Sequence, residues 1–370
     1  MFHLLSRPSL PAILLSVATP TLHAATFTAA NLNDLVDAKP GDGKCSSIVN
    51  PPNDTTYCTL RAAIMEANAT ATKDTIRLID GATYVLTLPG KNGGAEKGDL
   101  NITQPVRIET ESLVPGSATR AIIDANQVDR VLNISVGDVD LFNLGITGGE
   151  LLLGDGDDVG GGIRYYNQSA TSLLTLSFVA LYGNVDEHNP AGLYVGSGKT
   201  LIQDSQIYNN NPIAIFNSNS SVNVNTTIER SSIYGNNTAI LAGKILSISN
   251  STISGNNTGI AAGSQDNTIF IVASTIAANL QAGISTYTDK AFNVLIGNSV
   301  FADNGKNCLW YAPSAKFTLV ENLYDDATCP MGGMGDKHNI PALLSPLGYY
   351  GGPTPTHRPL AGSPLIDHGN

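Results

Sequence analysis

Seven segments of the chain share one arrangement of apolar and polar positions: an aliphatic or aromatic residue, a second one five positions later, and three further on an Asn, once a Gly. They are Leu141, Ile146 and Gly149; Leu176, Leu181 and Asn184; Ile202, Ile207 and Asn210; Ile228, Ile233 and Asn236; Ile248, Ile253 and Asn256; Ile271, Ile276 and Asn279; and Ile296, Phe301 and Asn304. The second apolar position advances by 35, 26, 26, 20, 23 and 25 residues. An irregular but bounded period of this size belongs to a chain that completes one coil per repeat.

Five repeats place a serine, Ser205, Ser231, Ser251, Ser274 or Ser299, two positions before the second apolar residue, so both point to the same side of one strand. The first apolar residue stands at an odd separation from them and would face outward on an unbroken strand. A corner is therefore predicted between the two. A further apolar series, Ile163, Leu193, Ile215, Ile240, Ile260 and Ile284, follows the Asn positions, giving each repeat at least two strands separated by a turn. Asn tolerates left-handed backbone and bonds locally, and the adjacent Gly183, Gly235 and Gly255 serve the same turn. These segments are too short, too rich in Ile, Val, Thr and Ser and too often interrupted for helices. Parallel strands stacked ~4.8 Å apart over about ten coils make a rod of roughly 45–50 Å, with Ile over Ile and Ser over Ser inside it.

The exception is the segment Thr59 to Ala69, where Leu60, Ala63, Ile64 and Ala67 share a helical face and Thr59 is placed to cap the start. A helix of that length suits a lid over the open edge of a strand rod. The chain accordingly divides into a leader at 1–25, an N-terminal cap with helix and disulfide at 26–75, coils at 76–305 and an irregular C-terminal cap at 306–370.

The leader reading rests on Arg7, an apolar run from Leu10 to Val17 and the small residues Ala24 and Ala25, the pattern of a secretory signal peptide. No later stretch reads as a membrane span. Loss of the leader removes Arg7, one of 20 Lys and Arg, and none of the 31 Asp and Glu, so the formal charge moves from −11 to about −12. This balance excludes a nucleic-acid binder, whose affinity rests on basic contacts to phosphate. An exported chain is oxidised, and the four cysteines lie two near each end. Cys45 is paired with Cys58 and Cys308 with Cys329, although four cysteines allow three connectivities.

Two stretches carry a resemblance. Asp42-Gly43-Lys44-Cys45, followed by Cys58-Thr59-Leu60-Arg61-Ala62-Ala63-Ile64 and Ala67-Asn68, resembles the N-terminal domain named for its Cys-Ser-Leu-Arg-Glu-Ala sequence, with Thr59 for Ser and Ala62 for Glu. The tail from Leu344-Ser345-Pro346-Leu347 through Gly351-Gly352-Pro353-Thr354-Pro355-Thr356-His357 to Gly362-Ser363-Pro364-Leu365-Ile366-Asp367-His368-Gly369 is similar to the end of the choice-of-anchor bacterial β-helix proteins. The resemblance implies an all-β, right-handed, single-stranded parallel β-helix of the pectate-lyase-like kind. It also implies export, and contact with a host or a neighbouring cell. The chain stops at Asn370, which implies release or retention by contacts rather than by an anchor. The fold serves lyases, hydrolases and adhesive surfaces alike and selects no chemistry.

Three candidate chemistries follow from the residues. Asp155, Asp157 and Asp158 on a Gly-rich loop offer oxygen ligands to calcium, although without the spacing of an EF-hand. In a polysaccharide lyase such a calcium neutralises the substrate carboxylate while Arg164, just beyond the loop, acts as base. In a glycoside hydrolase the same aspartates supply the acid and its partner, but the His and basic motifs of polygalacturonases are missing. Against these stands an acidic turn that is merely solvated, with Arg164 as its surface partner. Asp186-Glu187-His188 is predicted one coil above, enlarging an acidic patch, and His357, Asp367 and His368 read as structural hydrogen bonders in the terminal segment.

Binding needs no catalytic group. Tyr182, Tyr208 and Tyr234 each follow an inward apolar residue and are predicted to face outward as a column, with Tyr165, Tyr166 and Tyr194 nearby. Rings of this kind stack on sugar faces at low entropic cost. The primary expectation is thus a secreted β-helix that binds a polysaccharide or a surface protein, with a calcium-assisted lyase and a purely structural surface protein as alternatives.

Overall fold

The computed structural model describes residues 23–48, 56–90, 94–116, 118–151, 159–167, 169, 171–218, 224–262, 267–286, 292–310 and 315–367. The leader up to residue 22, the acidic loop with Asp155, Asp157 and Asp158, and His368 lie outside the described residues.

Each coil contains three strands rather than the minimum of two. One coil runs through Lys199–Gln203, Gln206–Tyr208 and Asn211–Asn217, and the next begins at Asn225–Glu229. Each strand pairs in parallel with its equivalent in the neighbouring coils, so three sheets extend along the rod. The first has 11 strands from Thr26–Ala29 to Lys316–Val320, and the second has 11 from Thr83–Val85 to Lys337–His338. The third has 10, from Leu100–Ile102 to Cys308–Leu309, including a short strand Glu150–Leu151 that pairs to one side with Val185–Ser197.

The apolar repeat is the register of this stack. Leu141, Leu176, Ile202, Ile228, Ile248, Ile271 and Ile296 are successive partners in the first sheet. In the second sheet Ile146, Leu181, Ile207, Ile233, Ile253, Ile276 and Phe301 are successive partners. Leu132, Ile163, Leu193, Ile215, Ile240, Ile260 and Ile284 fill the third. All are buried in one continuous core, where each side chain of this size contributes about 1.5–3 kcal/mol.

Both predicted bends are present, and in the coils from Lys199 onward each uses one left-handed residue followed by a polar one, whereas the first bend of the two coils before uses Asn143 and Phe178, followed by Leu144 and Val179. Between the first and second sheets the left-handed residues are Asp204, Arg230, Asn250, Ala273 and Asn298, each directly before a serine of the interior ladder. Between the second and third they are Gly183, Asn209, Gly235, Gly255, Ala278 and Asp303. The expectation that the repeat Asn itself takes the left-handed turn is therefore corrected: the residue before it does, which frees the Asn side chain to point inward.

Those side chains satisfy backbone donors that the turns leave unpaired. The N–H of Ser205, Ser231, Ser251 and Ser274 each donates to the Oγ of the serine one coil on, at 3.1, 3.1, 3.2 and 3.2 Å. Each hydroxyl in turn donates to the carbonyl two residues before it, as Ser251 does to Ser249 at 2.8 Å. The Asn ladder repeats the device with its Oδ1 atoms. Buried donors that lack water must find a partner, and for these backbone N–H groups the partner lies in the adjacent coil.

At the N-terminal end a nine-residue helix, α1, spans Leu60–Asn68, with Thr59 Oγ1 accepting from Ala62 N. It is buried from Leu60 to Ala67, on all sides rather than one, so it is an embedded plug and not an amphipathic lid. Arg61 forms an ion pair with Asp34 in which both side chains are almost fully buried, and it donates further to the carbonyls of Ala95 and Gly98. Glu66 accepts from the N–H groups of Gly41 and Gly43 at 2.6 and 2.5 Å, holding the Asp42-Gly43 turn. Asn68 donates to Asn101 O and accepts from Thr103 N, closing the edge of the third sheet. Cys45–Cys58 and Cys308–Cys329 are disulfide-bonded as paired from the sequence. No described helix is long and apolar enough to cross a membrane.

Candidate functional site

Strand periodicity in the second sheet turns Ile207 inward and leaves Gln206 and Tyr208 outside. In the same register Tyr182, Tyr208 and Tyr234 lie directly over one another. Their rings stack with centroids 5.0 Å apart in both steps and interplanar angles of 3° and 5°. The column ends at Ser254, which occupies the equivalent place in the next coil.

The stack changes the way these rings meet a ligand. Both faces of Tyr208 are covered, one by Tyr182 and one by Tyr234, so face-on sugar stacking at the middle ring is excluded. The column presents ring edges and hydroxyls instead. Burial raises the phenol pKa of all three above the ordinary tyrosine value, so they stay neutral donors and acceptors. The Tyr234 hydroxyl donates to Gln206 Oε1 at 3.1 Å, while the Tyr182 and Tyr208 hydroxyls have no hydrogen-bond partner among the described residues.

A C-terminal hairpin lies along this flank. Antiparallel bridges Leu344 to Pro359 and Gly348 to Thr356 fold it back on itself. Its residues bond coil after coil: Pro353 O accepts from Gln206 Nε2 at 3.2 Å, Pro355 O accepts from Ser232 Oγ, Thr356 bonds Thr252 at 2.9 Å and His357 bonds Ser254 at 2.8 Å. The segment thus runs parallel to the rod axis. His357 Nδ1 meets Ser345 O at 2.7 Å, and a carbonyl only accepts, so Nδ1 carries the proton and Nε2 accepts from the Ser254 hydroxyl. Both ring nitrogens are used for structure.

Between this hairpin, Gln206 of the second sheet and the segment that carries Pro115, Gly116 and Arg120 lies a cleft of about 210 Å3. Arg120, Phe178, Asp204, Gln206, Tyr349 and Pro353 line it. The Tyr349 hydroxyl donates to Gln206 Oε1 at 2.8 Å, joining the hairpin to the tyrosine column through one amide. Burial lowers the Arg120 pKa from the ordinary arginine value, and the neighbouring Tyr208, Tyr349, Tyr182 and Tyr234 oppose that shift. Asp204 accepts two parallel hydrogen bonds from one edge of the Arg230 guanidinium, from Nε and Nη2, each at 2.9 Å. A larger groove of about 500 Å3 lies further along, between the hairpin and Val300, Leu323 and Lys337.

Arg164 is on an outward position of the third sheet, where its Nη1 donates to Asn133 Oδ1 at 3.2 Å and its guanidinium lies 5.5 Å from the Tyr166 ring centroid. The aspartates proposed to act with it, Asp155, Asp157 and Asp158, lie outside the described residues. Among the described residues no group of three or more His, Cys, Asp and Glu is placed to hold a metal. Asp186 is 3% exposed, so it does not extend an acidic surface patch, and Tyr165 is buried in the core rather than displayed. The side chain of His188 lies outside the described residues.

The structure brings the three predicted tyrosines together and adds Arg120, Gln206 and Tyr349, which sequence reasoning missed. Gln206 was legible in principle as the outward neighbour of Ile207. Arg120 and Tyr349 belong to segments outside the repeat and carry no periodic signal.

A family model described as a right handed beta helix region matches residues 161–333. No curated protein sequence gives a significant match. Among solved structures, pectate lyase Pel9A aligns over 94% of this chain and 92% of its own at 14% identity, with a TM-score of 0.57. The Azotobacter vinelandii mannuronan C-5 epimerase AlgE4 A-module covers 73% of each chain at 17% identity with a TM-score of 0.47. A rhamnogalacturonan lyase covers 85% of this chain and 84% of its own at 14% identity, also with a TM-score of 0.47. The molecule is a right-handed parallel β-helix. At these identities the likeness concerns the fold.

Proposed function

We propose that this protein is an exported β-helix that binds an extracellular carbohydrate through the outward face of its second sheet. The observation that carries the reading is the stacked column Tyr182, Tyr208 and Tyr234, which presents neutral hydroxyls along one flank, those of Tyr182 and Tyr208 without a hydrogen-bond partner among the described residues. Such a row of neutral donors and acceptors, one per coil, matches the repeating hydroxyls of a saccharide better than a flat apolar protein partner. The tyrosine edges add apolar area without a mobile side chain. Export is supported by the leader pattern and by two disulfides, which persist in oxidising compartments. The two end segments with their family resemblance fit an extracellular surface role of the same kind.

Calcium-assisted lysis centred on Arg164, Asp155, Asp157 and Asp158 is the competing proposal, and Pel9A is named as a pectate lyase. The contacts of Arg164 with Asn133 and the Tyr166 ring favour a positioned surface residue over a base. The test is retention of the purified full chain on an array of glycans, with uronate polymers assayed in parallel for unsaturated products. Saccharide retention that falls when Tyr182, Tyr208 and Tyr234 are replaced by Ala supports the reading. Unsaturated products with no such retention support lysis instead.

A further inference from the structure

We infer that the Arg120 cleft is a subsite for the carboxylate of a sugar acid, an inference that rests on carbohydrate binding by the adjacent tyrosine face. Arg61, Arg77, Arg107, Arg130 and Arg230 each have a carboxylate partner. Among the described residues Arg120 has none: its Nη2 makes a long 3.4 Å hydrogen bond to Phe178 O, and its Nε is buried without a partner there. The Nε–H of this half-buried guanidinium has lost its water and gains nothing unless an acceptor replaces it, so a fork with that donor unmatched at the wall of a cleft is a place prepared for an anion.

The surroundings select the anion. Arg120 is the one cation among the residues that line the described cleft, and Asp204 stands on the same wall with its own charge already matched by Arg230. A single negative charge is accommodated there, whereas a phosphate dianion or a polyanionic segment meets Asp204 and a chain of net charge −11. The planar fork matches a carboxylate in two parallel hydrogen bonds. At about 210 Å3 the cleft is smaller than the roughly 300–1,000 Å3 that hold drug-sized ligands, which fits one pyranose ring and not a run of them. Tyr349 and Gln206, which line the cleft and are hydrogen-bonded to each other, offer the ring its polar contacts. Two sources supply this chemistry: a terminal sialic acid and a uronic acid.

The experiment measures binding of the full chain to a sialylated lactose, the methyl glycoside of galacturonic acid and neutral lactose. One of the two acids is expected to bind about tenfold or more tightly than lactose, the usual gain from a charge-assisted contact, and which one identifies the source. Arg120→Gln is expected to erase the preference for the acid, and Arg120→Lys to restore part of it because the fork is lost. In the unaltered chain, the Arg120 Nε–H resonance is expected to shift on addition of the acid, a readout that needs no variant to fold. Lactose bound as tightly as both acids, or an unmoved Arg120 resonance, overturns the subsite while leaving the tyrosine face standing. Absence of binding to all three, together with an array that retains no glycan, removes both.

Discussion

The backbone N–H of Asn236 donates to Oδ1 of Asn256, one coil further along the rod, at 2.9 Å. The amide of Asn236 donates to the same oxygen at 3.0 Å, and both residues are buried. Equivalent pairs link Asn184 to Asn210, Asn210 to Asn236, Asn256 to Asn279 and Asn279 to Asn304. The ladder is thus a requirement of the turn: a left-handed residue bends the chain, and the N–H of the following Asn is answered by the Asn one coil on.

Asn256→Ala removes the acceptor of the buried Asn236 N–H and the donor to Ile233 O. Each orphaned group costs about 1–3 kcal/mol, so a loss of at least about 2 kcal/mol is expected in urea unfolding. The neighbouring Asn257→Ala, at an exposed position, is expected to change stability by no more than about 0.5 kcal/mol. Equal effects at the two sites contradict the role given to the interior ladder.

Asp34 shares a buried ion pair with Arg61 and also accepts from the N–H groups of Thr87 and Leu88. Asp34→Ala strands a buried guanidinium and is expected to destabilise the protein by about 3–5 kcal/mol. Adding Arg61→Met to that variant is expected to recover part of the loss, because the unpaired charge is gone. A double variant no more stable than Asp34→Ala argues against an electrostatic origin.

Asp37 and Asp99 are pushed up to about 6 from 3.8, chiefly by burial, which outweighs the Arg130 charge beside Asp99. A carboxyl whose pKa is higher in the folded than in the unfolded chain binds more protons when folded. Its contribution therefore weakens stability as pH rises from about 4 through about 6. Comparing melting temperatures at pH 4 and pH 6.5, the Asp37→Asn, Asp99→Asn double variant is expected to lose less on the rise than the unaltered chain. Parallel curves count against the two raised values.

Tyr208→Phe keeps the ring between Tyr182 and Tyr234 and is expected to leave the melting temperature unchanged while weakening saccharide binding. Tyr208→Ala removes two stacked pairs worth about 0.5–1.5 kcal/mol each and is expected to lower stability as well as binding. A Phe variant that binds as tightly as the unaltered chain indicates that the hydroxyl is not used.

The fold was legible where the period was regular. From Leu141 to Phe301 the five-residue spacing identified two of the three interior ladders, because inward positions in adjacent coils must match to bury area. Earlier coils were hidden: Ile76 to Tyr84 and Ile108 to Ile123 occupy the same two ladders but are 8 and 15 residues apart, with loops inserted at the corner. The outward tyrosine column was readable from strand alternation. Its mutual stacking follows from the register of adjacent coils. The cleft was not readable, since Arg120, Gln206 and Tyr349 come from three segments whose meeting depends on how a hairpin lies on the flank, and no period encodes that contact.

The central claim is tested most directly by hydroxyl-radical footprinting of the tyrosines in the full chain, with and without a saccharide that it retains. Protection of Tyr182, Tyr208 and Tyr349, with Tyr166 on the third sheet unchanged, is the predicted result. Protection confined to Tyr166, beside Arg164, contradicts the account.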